Sequence, residues 1–132
     1  MRRDEDGAAV VEFVLVGIVL IMLFMSIMQV GLYLHMRNVV VASLAEGARE
    51  AANANRSCDY GVDRARELVR GAIGDTVADG LTFDVPPGGC EATSDGGVVL
   101  VRVRAHGPLP LVFPPVGSVS MNATAHAIKE GQ

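Results

Sequence analysis

The chain has 132 residues, half of them hydrophobic, with 11 Lys and Arg against 15 Asp and Glu and a formal net charge of −4. That is one domain's worth of sequence, and without a basic excess it carries no footprint for nucleic acid. Much of the apolar content sits in a single run, so little is left from which to build an aqueous core.

The leader "MRRDED" precedes "GAAVVEFVLVG", in which Glu12 stands at the threshold of the apolar run. From Phe13 to Leu34, 22 consecutive residues carry no formal charge. As a helix at about 1.5 Å per residue they span about 33 Å, against a hydrocarbon core of about 30 Å. The run therefore reads as a membrane span. A cleaved secretory signal has an apolar stretch of about 7–15 residues, so length argues against one, although the small residues at 51–54 keep that alternative open. Arg2 and Arg3 favour a cytoplasmic amino terminus, since acidic residues count for little in orienting a span.

Helical periodicity continues past Leu34. Val41, Leu44, Ala45, Ala48 and Ala52 share one side of a 3.6-residue wheel, with Ser43, Glu46, Glu50 and Asn53 opposite, so the span is expected to continue into water as a stem. "NANRSCDYG" breaks the pattern, Asp59 is expected to cap a second helix over about 60–73, and Val62, Ala65, Val69, Ala72 and Ile73 form its apolar stripe. Asp63, Arg66, Glu67 and Arg70 read as a solvated face.

Beyond Gly80 the period falls to 2. "LTFDV" is a short strand, "PPGGCEATSDGG" a turn-rich link, and "VVLVRVRAH" and "SVSMNATAHA" are two half-buried strands, with Val99, Val101, Val103 and Ala105 on one face of the first and Val119, Met121, Ala123 and Ala125 on one face of the second. Neither is stable alone, and the alanine-rich stem is the surface for them to cover. The expectation is an α+β protein. A leader at 1–7 is followed by a long helix over 8–54 with its span at 13–34, and then by an extracytoplasmic head over 55–132 with one further helix and a short antiparallel sheet. Under that topology Cys58 and Cys90 face an oxidising exterior and are expected to pair, two buried free thiols being the alternative.

The segment from Gly7 to Arg49 resembles the amino-terminal region of TadE-like proteins, minor pilins or pseudopilins of the bacterial Tad (Flp-type) pilus. The features that carry it are Gly7 and the Glu12-Phe13 pair five residues on, the apolar span, and "AEGAR" at Ala45 to Arg49. The resemblance implies a structural rather than enzymatic protein, anchored in the cytoplasmic membrane with its head outside. It also implies that a membrane-embedded prepilin peptidase cuts between Gly7 and Ala8, that Glu12 assists processing or assembly, and that the partners are membrane lipid and other Tad pilins and pseudopilins. Asp6 stands where relatives often have a basic residue, and Gly17 where many have proline.

Glu12 has a physical reading independent of the family. Cleavage after Gly7 exposes an α-amino group on Ala8 with a pKa of about 7.7–8.0, largely protonated near neutrality. Ala8 and Glu12 are one helical turn apart and helical side chains lean toward the amino terminus, so the carboxylate points back at that charge, aided by the helix dipole. Pairing with the amino terminus of a neighbouring subunit would instead make Glu12 an assembly device. An uncleaved anchor with Glu12 idle at the headgroups is the bland alternative, as a single-pass binding protein that enters no filament is for the whole chain.

Other chemistry is sparse. His35, His106 and His126 lack metal-site spacing, no phosphate loop or nucleophile elbow occurs, and no cofactor or metal is expected. In "GPLPLVFPPVG", Leu109, Leu111, Val112 and Phe113 gather between four prolines. That cluster needs cover, either from the head's own core or from another subunit or the membrane surface.

Overall fold

The computed structural model of the protein describes residues 3–53, 56–90, 99–110 and 117–129, the first four of these by backbone alone. Helix α1 (Arg3–Asn53) is one unbroken rod of 51 residues, about 77 Å long. Helices α2 (Cys58–Ile73) and α3 (Asp75–Gly80) follow, then strands β1 (Thr82–Asp84), β2 (Val99–Pro110) and β3 (Ser118–Lys129). The three strands form an antiparallel sheet in the order β1-β2-β3. The expected α+β architecture is therefore present, with two helices in the head where one was predicted.

The rod is divided by what surrounds it. Val10 to Leu34 are exposed almost throughout, whereas from Met36 onward one side of α1 is buried: Val40, Leu44, Ala48 and Ala51 are at most 0% exposed and Met36 is at 5%. Tyr33 is the first side chain to pack on this core. The buried stripe is rotated from the predicted one. Val41 is 37% exposed and Ala45 lies outside, while Ser43, expected on the solvent side, is buried. The cause is that α1 is covered from two directions, by the sheet and by α2. The close approach of α2 centres the buried face on Gly47 and Ala51.

That approach is set by two glycines. A methyl group on Gly47 would overlap the Gly61 carbonyl oxygen, and one on Gly61 would stand 3.0 Å from the Gly47 carbonyl oxygen and 3.1 Å from Ala51 Cβ. Tyr60 and Arg64 reach Glu50 while Ala65 lies on Gly47, so α2 runs antiparallel to α1, back toward the span. Strand β2 runs the same way, from Val103 beside Gly61 to Gly107 beside Leu81. Its last turn of sequence, with Leu109, therefore ends at the span side of the head.

Helix α2 begins one residue before Asp59. Ser57 is the N-cap, its hydroxyl accepting from Tyr60 N at 3.4 Å, and Asp59 sits in the first turn, where the helix dipole favours an anion. Gly61, Val62, Ala65 and Val69 are its buried residues, and Ala72 is exposed because the helix stops at Gly74, φ 106°, where α3 turns off.

Strand β2 continues four residues past the predicted end at His106, through Pro108 and Pro110. The Arg102 amide donates to Gly89 O at 2.8 Å, away from β3, and even-numbered residues of β2 share that direction. Beyond Thr82↔His106 no partner strand remains on that side among the described residues, so prolines at 108 and 110 forfeit no ladder bond there. The odd-numbered residues face the helices: Val101, Val103, Ala105 and Leu109 are each 1% exposed or less. Leu109 is buried in the head's own core. Leu111, Val112 and Phe113 lie outside the described residues.

Gly47 sits in a helix, where alanine is ordinarily favoured by about 1 kcal/mol. Here the sign reverses. Gly47→Ala is expected to destabilise the head by about 1–3 kcal/mol through overpacking at the α1–α2 crossing, whereas Gly31→Ala, with open space around it, is expected not to lower stability. Thermal unfolding of the two variants in detergent, followed by circular dichroism, checks the contrast.

Candidate assembly helix and the head it carries

Gly7, Ala8, Glu12 and Phe13 lie on the exposed front of α1, in unbroken helix. Ala8 and Glu12 are thus one turn apart on one face. Glu12 has no hydrogen-bond or ion-pair partner among the described residues. Phe13 is 79% exposed, and the side chains that follow it to Leu34 mostly expose between a third and two thirds of their surface. A 47-residue stretch, Gly7–Asn53, holds the one helix among the described residues long and apolar enough to cross a membrane, and none of its most apolar window is buried. Ser26, the hydroxyl inside that window, donates to Met22 O at 2.8 Å and so needs no water.

The rear of the same helix is held to the head by polar as well as apolar contacts. Glu50 accepts from the Tyr60 hydroxyl and from Arg64 Nε, both at 2.9 Å, and Arg64 also binds Glu67 at 2.7 Å. The Tyr60 hydrogen bond first, and then Arg64, hold the Glu50 carboxyl below the usual carboxylate range. Reciprocally, Glu67 and Glu50 raise Arg64. Glu50 was expected on the solvent face of the stem, and Arg64 was not singled out. Their meeting across 14 residues leaves no periodic mark in the sequence.

In the sheet, Arg104 clamps Asp84 across β1 and β2 with both Nε and Nη2, which lowers the Asp84 carboxyl against the opposing effect of burial. His106 Nδ1 lies 3.7 Å from Asp84 Oδ1 and is buried without a hydrogen-bond partner. His106 and His126 do share the outer face of the sheet, but they pair with different residues, Asn122 and Arg102. Among the described residues no three His, Cys, Asp or Glu side chains converge as metal ligands. Arg70 ties α2 to α3 through Asp75 and Asp79, at 2.9 and 2.7 Å.

Cys58 and Cys90 are bonded, Cα atoms 6.3 Å apart and 32 residues apart in sequence. The bond fastens the first residue of α2 to the turn after β1. The pairing expected from the sequence is therefore made.

An exposed, membrane-length front on a helix whose rear forms one wall of a small disulfide-linked α+β head defines a rod-and-head α+β protein with a candidate membrane helix. Residues 7–49 match the sequence model of the family described as TadE-like protein, the same residues on which the resemblance was read. The match covers about a third of the chain and ties that third, the rod, to a Tad pilus-related family of structural proteins. No curated protein and no solved structure matches the chain.

Two predictions follow from the polar and covalent ties. Glu50 and Asp84 have lowered folded-state pKa values. The stability they contribute is therefore complete above the unfolded carboxylate range of about 4 and is lost as pH falls through the folded values. Stability of the full chain should be flat from neutrality to about pH 5 and fall below about pH 4. Glu50→Gln should lower stability at neutral pH and flatten the acid limb, as measured by denaturant midpoints against pH. Reduction of Cys58–Cys90 should lower unfolding free energy by about 3.5 kcal/mol, the chain-entropy value for a loop of this size, measured by urea unfolding with and without dithiothreitol.

Proposed function

We propose that this chain is a minor-pilin or pseudopilin-like structural subunit that serves assembly of a Tad-type pilus. One observation carries the reading: a single helix leaves its membrane-length apolar front exposed and gives its rear to the head's core. Such a subunit can leave the bilayer with its head already built, because the head's packing includes nothing of the span before Tyr33. The family match over residues 7–49 supports the same reading. In this proposal α1 anchors the protein in the bacterial cytoplasmic membrane, Arg2 and Arg3 keep the leader inside, and the head lies outside, where the Cys58–Cys90 bond persists. The partners are a prepilin peptidase, other Tad pilins and pseudopilins, and membrane lipid.

Glu12 supplies the chemistry of assembly. An ionised carboxylate at the edge of the hydrocarbon costs a few kcal/mol unless it is paired. Cleavage between Gly7 and Ala8 creates the ammonium group that can pair with it, in the same subunit or in its neighbour.

Expression with the cognate peptidase, followed by intact mass spectrometry, should give a chain beginning at Ala8. A working protein that retains its first seven residues would overturn the proposal. Glu12→Gln should insert normally, judged by carbonate-resistant membrane fractionation, while incorporation into sheared pili or a co-isolated pilin complex falls by about tenfold, the loss expected for one charge pair. Equal incorporation would show that Glu12 pairs with nothing that matters to assembly.

A further inference from the structure

The head has two unlike sides. Its sheet buries one face on the helices and turns the other outward, where Arg102 and His126 oppose each other across β2 and β3. Together with Pro86, Leu100, Thr124 and Ile128 they line a shallow depression. Ile128 is 58% exposed. Neighbouring Arg104 is neutralised by Asp84, whereas the Arg102 guanidinium and the His126 ring have no side-chain partner among the described residues. The far side of the head is the exposed face of α2. Asp59, at its start, has no ion pair among the described residues, and Asp63, 77% exposed, reaches Arg66 only at 4.0 Å. Over α2 and α3 five acids stand against three arginines, while the three strands hold one acid against Arg102, Arg104 and Lys129.

These two patches lie at about one level along the head. Val103, next to Arg102, packs beside Gly61, which lies midway between Asp59 and Asp63. Each offset is one or two residues, about 3 Å along a strand or a helix. Two copies standing side by side in one bilayer therefore bring Arg102 of one level with Asp59 and Asp63 of the next.

We propose that a second copy of this chain docks laterally on the outer sheet face, with Arg102 and His126 of one copy against Asp59 and Asp63 of the other and Ile128 packed between them. The two surfaces differ, so the contact is heterologous and repeats from copy to copy, generating an open array or helical filament rather than a closed dimer. This rests on the reading of the chain as an assembling subunit, and it names the surface by which heads would assemble.

The test uses the full chain in lipid vesicles, prepared as an equal mixture of ¹⁴N- and ¹⁵N-labelled protein and carrying Ile128→p-benzoylphenylalanine. Photolysis should give mixed-isotope adducts that map to the 58–70 peptide of the other copy. Arg102→Glu should reduce their yield by about tenfold, and Arg102→Glu combined with Asp59→Arg and Asp63→Arg in the same chain should restore it to within about twofold. Unchanged melting of each variant shows that the head is folded. Adducts to lipid, to the same chain or to any other segment would overturn the proposal, as would a yield indifferent to Arg102. Normal cleavage after Gly7 and normal recovery with pili alongside such a result would leave the assembly reading standing and remove only this contact.

Discussion

The head has to be built against a rod that keeps half its length free of it. Helix α1 supplies a core wall only from Tyr33 to Ala52, and everything before that faces outward. A domain this small cannot enclose a core by wrapping around its own elements, so it borrows the rear of the helix and closes on it from two directions. The glycines at 47 and 61 make this possible by letting two helix backbones come into contact. Any side chain at that crossing would push α2 away from α1 and from Val103 of the sheet together.

The crossing gives a physical reading to the glycine of "AEGAR". It marks where the membrane helix stops being an anchor and becomes the floor of the head. The same few residues carry the polar closure: Glu50, one turn after Gly47, receives Tyr60 and Arg64 from α2. The disulfide then fixes the start of α2 to the strand side of the head. Three different forces, close packing, charge-assisted hydrogen bonding and a covalent link, thus act on one end of α2. The opposite end is tied by Arg70 to the short α3.

The outer sheet face and the front of α1 are two of the surfaces the fold leaves without cover among its described residues. The first is moderately charged and the second almost wholly apolar, so they answer to different surroundings. Lipid satisfies the front of α1 at no cost in hydrogen bonds, because every backbone group there is paired within the helix. The sheet face offers a guanidinium and an exposed isoleucine.

Much of this was legible in the sequence because it depends on local periodicity and on solvent. The uncharged run from Phe13 to Leu34 determines a membrane-length helix whatever follows it, and the two-residue alternation of Val101, Val103, Ala105, Met121, Ala123 and Ala125 determines the buried face of the strands. The spacing of Gly7, Glu12 and "AEGAR" likewise identified the rod. What the tertiary structure decided are relations between distant residues. The buried stripe of α1 turned toward Gly47 because two elements, rather than one, cover it. Pro108 and Pro110 stayed within β2 because β1 is too short to call for an amide hydrogen at either position. Glu50 left the solvent face because Tyr60 and Arg64 come to it only after α2 has folded back. Periodicity records which residues avoid water; it holds no record of which element arrives to cover them, and that is fixed only when the chain closes on itself.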